Sequence, residues 1–61
     1  MTNLYLVKSL LEPVSPNSIF IDFIERKVFF IKNGIKILIY NENEEFDLKK
    51  IAKKFMENRN A

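Results

Sequence analysis

Apolar residues are concentrated in the middle of the chain, in three short runs that are apolar at almost every position. Asn33-Gly34 separates the last two runs and is a strong hairpin signal, because a type I′ turn needs positive φ at both central residues. A less well specified turn lies around Glu25-Arg26. The pattern predicts a three-stranded antiparallel β-meander over residues 18–24, 27–32 and 35–40.

The two turns sort the side chains of these strands into two faces. The Asn33-Gly34 turn pairs Val28 with Ile39, and the earlier turn pairs Phe23 with Val28. The first face is apolar except for Lys32, and we predict that it faces the core. Its apolar members are Ile19, Ile21, Phe23, Val28, Phe30, Ile35, Ile37 and Ile39.

The second face mixes large apolar side chains with charges, a composition more typical of an interface than of a solvated surface. The predicted protein-interface residues are Phe20, Asp22, Ile24, Phe29, Ile31, Lys36, Leu38 and Tyr40. Asp22 breaks the apolar pattern of its strand. It either keeps an exposed strand soluble or forms an ion pair across the interface.

Two helices are predicted to flank the strands. Asp47 can cap a helix over residues 47–58, whose apolar stripe contains Leu48, Ile51, Ala52, Phe55 and Met56. Residues 3–11 also have helical periodicity, with a fourth strand over residues 3–8 as the alternative. We therefore expect a single α+β domain over residues 1–61. The C-terminal helix should cover the core face, with the N-terminal helix at the side of the sheet or on its second face.

Composition limits how such a small domain is stabilised. The chain has 61 residues, of which 48% are apolar, and it contains no Cys and no His. Disulfides and Cys/His zinc sites are therefore excluded. A domain of this size hides only about 60% of the surface that its unfolded chain exposes. A homodimer or another protein partner is the expected source of additional stability.

The sequence offers little chemistry for catalysis. Without His or Cys, a general base would have to be a carboxylate or a lysine, and no hydroxyl has an evident partner. Gly34 is the only glycine, so no glycine-rich phosphate loop is present, and the acidic segment 41–47 lacks the spacing of an EF-hand. We expect no enzyme, cofactor, metal site or small-molecule substrate. Without a signal-peptide pattern or a membrane-spanning run, a cytoplasmic location is expected.

Positive charge gathers near the end of the sequence, where residues 48–61 carry five basic residues and one acidic residue. The basic face of the predicted helix consists of Lys49, Lys50, Lys53 and Lys54. Such a face can contact phosphates, while exposed aromatic rings on the sheet can stack on unpaired bases. A nucleic-acid-binding regulator is therefore the alternative function.

The leading expectation is a small protein-interaction module that forms a homodimer through the second sheet face. Frequent Ile, Asn and Lys with a single Gly is typical of an AT-rich coding genome, as in low-GC bacteria and their phages. An inhibitor or regulator of a host protein is the specific form of this hypothesis.

Overall fold

A computed structural model describes residues 2–61. Along the chain, one helix precedes the three strands and one follows them. The elements are α1 (Asn3–Leu11), β1 (Ile19–Asp22), β2 (Lys27–Lys32), β3 (Ile35–Asn41) and α2 (Leu48–Arg59). The strands form one antiparallel sheet in the order β1-β2-β3. The predicted α+β meander is confirmed, and the alternative with residues 3–8 as a strand is wrong because this segment is helical.

The hairpin between β1 and β2 is displaced from its predicted register by two residues. Ile21, rather than Phe23, pairs with Val28, and β1 ends at Asp22. Because side chains alternate with a period of two, this displacement leaves every residue of β1 on its predicted face. Phe23 itself leaves the sheet and the core. It is exposed in the turn, where its ring lies 5.6 Å from that of Tyr5.

Asp22 explains the displaced register. Its Oδ1 accepts hydrogen bonds from the backbone N–H groups of Ile24 and Glu25, both at 3.0 Å. An Asp that bonds the backbone two residues ahead forms an Asx turn. The chain therefore leaves the strand at Asp22, and Arg26 completes the four-residue loop with a left-handed φ of 61°.

The second hairpin has the predicted pairing from Lys32–Ile35 to Phe29–Leu38, and then a β-bulge interrupts it. Val28 pairs with Tyr40 instead of Ile39, because the bulge inserts one extra residue in β3. Ile39 and Tyr40 are consequently both buried, each with 4% of its surface exposed. The prediction that Tyr40 belongs to the second face is therefore wrong.

Both helices cover the same face of the sheet. α1 contributes Leu4, Val7 and Leu11 to the core, and α2 contributes Ile51 and Phe55. The buried strand residues that they meet are Ile19, Ile21, Val28, Phe30, Ile39 and Tyr40. Placement of the N-terminal helix on the second face, one of two predicted arrangements, is therefore wrong.

Both ends of α2 are capped by side chains. Asp47 Oδ1 accepts hydrogen bonds from the backbone N–H groups of Lys49 and Lys50 at 3.1 and 3.3 Å, which confirms the predicted N-cap. At the other end, Lys32 Nζ donates to the backbone oxygens of Asn58 at 2.9 Å and Arg59 at 3.3 Å, and also to that of Ala61.

This contact accounts for the charged residue on the core face. The carbonyl groups of the last helical turn have no partners within the helix, and they form the negative end of its dipole. The ammonium of Lys32 reaches these carbonyls from the end of β2. Lys32 is therefore a structural residue that joins the central strand to α2.

Candidate protein-interaction surface

The sheet face opposite the two helices is the candidate site, and we call it the open face. It consists of Phe20, Asp22, Lys27, Phe29, Ile31, Lys36 and Leu38. Phe20, Phe29 and Leu38 are paired across the three strands and form an apolar row through its centre. Phe20 is 49% exposed, while Phe29 and Leu38 are partly exposed. Neither helix contributes a covering layer here, since the buried residues of both belong to the core on the other face.

Lys36 lies across the aromatic part of this row. Its Nζ is 4.9 Å from the ring centre of Phe29 and 5.8 Å from that of Phe20. Both distances permit a cation–π attraction, which is worth about 0.5–1 kcal/mol at an exposed site. The rings are thus partly shielded by a long, flexible side chain that a partner can displace at low cost.

Charges flank the apolar row on both of its sides. Lys36 lies two residues before Leu38 on β3, whereas Asp22 and Lys27, which are opposite each other on β1 and β2, lie on the other side of the row. Lys27 Nζ also lies 3.6 Å from the carboxylate of Glu25. The Asp22 carboxylate already holds the turn, so its first role is structural. An ion pair between Asp22 and a partner stays a prediction.

A groove of about 510 Å³ extends the open face along the edge of β1. Tyr5, Lys8 and Glu12 of the N-terminal segment line one side, and Phe20 lines the other. Phe20 therefore belongs to both the apolar row and the groove. A partner that covers the row would also meet polar groups from the N-terminal part of the chain.

Two predicted interface residues lie outside the open face. Tyr40 is in the core, where its ring packs edge-on against Phe46 at 5.8 Å. Ile24 is 94% exposed, but it lies in the β1–β2 turn rather than on a strand. The structure therefore brings together Phe20, Asp22, Phe29, Ile31, Lys36 and Leu38 from the predicted set.

The lysines of the predicted basic face of α2 lie in two different environments. Lys50 and Lys54 line a depression together with Glu44 and Glu45, so their positive field is partly offset by nearby carboxylates. Lys49 and Lys53 project from the other flank of the helix, at 100° per residue. All four lysines are exposed and lie within an arc of about 140° of the helix surface, and Glu44 and Glu45 adjoin only the Lys50 and Lys54 side of this arc.

A second exposed apolar surface lies between the two helices. The sequence pattern does not distinguish its residues from those of the core. The sequence pattern predicts that the apolar stripe of α2 covers the core face, yet Leu48, Ala52 and Met56 of this stripe are exposed beside α1. The sequence contains a signal for this surface, since the apolar stripe is about 140° wide, whereas a stripe of about 100° is sufficient to face a core. Exposed Leu10 of α1 lines the same groove.

Within residues 2–61, no group of three or more acidic, His or Cys side chains is arranged to hold a metal ion. Over the same residues, neither helix has the length and apolar character needed to cross a bilayer. Comparisons with family models, curated proteins and solved structures find no match for this chain.

Proposed function

We propose that this chain is a non-enzymatic protein-interaction module that binds its partner through the open face. The observation that carries the proposal is the partly exposed row of Phe20, Phe29 and Leu38, over which neither helix packs. Burial of apolar area stabilises a complex by about 25 cal/mol per Å² before the costs of association. Aromatic residues at the centre with charges at the rim are the usual composition of a protein interface.

A second copy of the chain is the first occupant that we propose. Two open faces can stack about 10 Å apart, as sheets do in a β-sandwich. A two-fold axis would bring the same apolar row from each copy into one shared core. This arrangement would also supply the stability that a 61-residue domain without disulfides lacks. Inhibition or regulation of a host protein stays a prediction from composition.

The charge distribution favours a protein over a nucleic acid as the partner. On the open face, the aromatic row is accompanied by Lys27 and Lys36 but also by Asp22, which would repel a phosphate backbone. Half of the basic face of α2 adjoins Glu44 and Glu45. A nucleic-acid-binding regulator therefore ranks second.

Self-association is tested by measuring molar mass over a range of concentrations for the wild-type chain and for Phe29→Glu. We expect a concentration-dependent dimer for the wild type and a folded monomer for Phe29→Glu, because a carboxylate in the centre of the apolar row would be buried without a partner. Ile35→Glu is the matched control, since Ile35 is 64% exposed and does not belong to the open face. A wild-type chain that is monomeric at every concentration contradicts the homodimer.

Binding to another protein is tested by cross-linking in the source cell. A protein partner should be recovered with the wild type and with Ile35→Glu, but not with Phe29→Glu. Equal recovery with all three chains contradicts the open face as the binding site. Nucleic acid retained at low salt by the wild type and lost in Lys49→Glu/Lys53→Glu would favour the alternative function instead.

A further inference from the structure

The geometry points to a second binding site: the groove between α1 and α2 accepts an amphipathic helix with acidic residues beside its apolar face. This site lies on the helical side of the molecule, opposite the open face, and does not depend on the function proposed above. The inference is carried by the shape of the groove, its apolar lining and the charges along its rim.

The groove exists because α2 buries only part of its apolar stripe. Ile51 and Phe55 are 4% and 1% exposed, whereas Leu48 and Met56 are 45% and 40% exposed. At 100° per residue, the exposed pair lies on one flank of the helix, beside the buried pair. That flank faces α1, because Leu48 and Met56 line the groove together with α1 residues.

The opposite wall is also apolar and exposed. Leu10 of α1 and Val14 of the following turn are each 45% exposed and line the groove. Val7 and Phe55 form a fully buried floor, and the groove has a volume of about 250 Å³. Every residue that lines this groove is apolar. Exposed apolar side chains gathered in one concave strip mark a binding surface more often than isolated ones do.

The shape favours a helix as the occupant. Two adjacent helices with an apolar groove between them accept a third helix by the helix-in-groove mode, with anchors at i, i+3 or i+4, and i+7. α1 is 9 residues long and α2 is 12 residues long. At a rise of 1.5 Å per residue, the two helices are roughly 14 and 18 Å long, close to the length of three turns of a partner helix.

The charged residues along the rim of the groove determine which charges the partner helix should carry. Around the axis of α2, Lys49 lies about 20° from Met56 and Lys53 lies about 60° from Met56, both on the side away from the buried residues. This position places the two lysines along the outer edge of the groove. Neither lysine forms an ion pair or a side-chain hydrogen bond within residues 2–61. Glu57 lies about 100° from Met56 and so points away from the groove. Acidic residues on the partner would therefore complement the rim, and basic residues would be repelled.

The test uses two fluorescent synthetic peptides with the same apolar face, one with Glu and one with Lys at the flanking positions. Fluorescence anisotropy measures the affinity of each peptide for the folded full-length chain. We expect the Glu peptide to bind the wild type at least about tenfold more tightly than the Lys peptide, because two rim ion pairs are gained rather than opposed. Met56→Glu should weaken the binding of the Glu peptide by a similar factor or more.

The chain supplies a matched control for the charges. Lys49→Glu/Lys53→Glu should reverse the preference between the two peptides, whereas Lys50→Glu/Lys54→Glu, on the other flank, should preserve it. Phe29→Glu on the open face should also leave peptide binding unchanged. A failure of the groove to bind the peptide is therefore distinguishable from a failure of the open face to bind its partner. Equal affinity for both peptides, or equal reversal by the two double variants, would overturn the inference. Anionic phosphatidylglycerol vesicles that bind the wild type but not Met56→Glu, with no peptide bound, would instead identify a membrane surface.

Discussion

Replacement of Lys32 by Met tests the link between the central strand and α2. Lys32 Nζ donates to the backbone oxygens of Asn58 and Arg59 at 2.9 and 3.3 Å, and to that of Ala61. Met has a similar length and keeps most of the apolar stem of the side chain, but it removes the ammonium. Lys32→Met should therefore leave the sheet intact and release the last turn of α2.

The expected loss of stability follows from these contacts. A cation near the carbonyl end of a helix contributes about 0.3–1 kcal/mol when it is exposed and up to about 2 kcal/mol when it is partly buried. The bond to Asn58 is partly buried, whereas the bonds to Arg59 and Ala61 are exposed. We therefore expect a loss of about 1–2 kcal/mol in the free energy of unfolding. In a domain of this size, that loss lowers Tm by roughly 4–16 °C.

Urea unfolding followed by circular dichroism measures this change, and amide hydrogen exchange locates it. Exchange should accelerate most at the C-terminal end of α2, since local opening of the last turn becomes easier. Lys53→Met is the matched control, because Lys53 is exposed on the same helix and Lys and Met have similar helix propensities. If the two variants have equal stability and equal exchange rates, the capping argument is refuted.

Substitutions at Asp22 and Tyr40 test the corrected β1 register and the bulge. Asp22→Ala removes the acceptor of both turn hydrogen bonds and should cost about 1–2 kcal/mol in urea unfolding. Asp22→Asn retains an Oδ1 acceptor and should lose less than half as much, so equal losses would contradict the Asx turn. Tyr40→Glu should unfold the domain, because it buries a charge in the core. Phe20→Glu should leave the circular dichroism spectrum folded, and a folded Tyr40→Glu chain would contradict the bulge.

Signals confined to a few adjacent residues predicted the fold best. Asn33-Gly34 fixed the second hairpin as far as the Phe29–Leu38 pair, and Asp47 fixed the start of α2. Each signal specifies a local backbone geometry that few other residues can adopt or stabilise. The β1–β2 turn lacks a residue pair, such as Asn-Gly, that specifies the turn type. Its register depends on the Asp22 carboxylate, for which the sequence pattern predicts either a solubilising charge or an interface ion pair, and not a turn acceptor.

The other wrong predictions, the face of Tyr40 and the position of the N-terminal helix, depend on features that a periodic sequence pattern does not encode. Strict alternation assigns Tyr40 to the second face, and it has no means of locating an inserted residue, so the bulge reverses that assignment. The stripe of α1 shows that Leu4 and Val7 are buried, but it does not show which sheet face they contact. The sheet face that α1 contacts depends on tertiary packing. In the structure, α1 and α2 pack on the same face, and the open face is uncovered.

Placement of both helices on one face separates the two apolar surfaces of the molecule. The open face and the groove between the helices lie on opposite sides of the core, with the sheet and the helical layer between them. Substitutions more than about 7–10 Å apart that share no partner are usually additive. The combined variant Phe29→Glu/Met56→Glu should therefore lose self-association and peptide binding to the same extent as each single variant. Non-additive losses in the folded double variant would mean that the two surfaces communicate through the core, and both sites would then have to be treated as one.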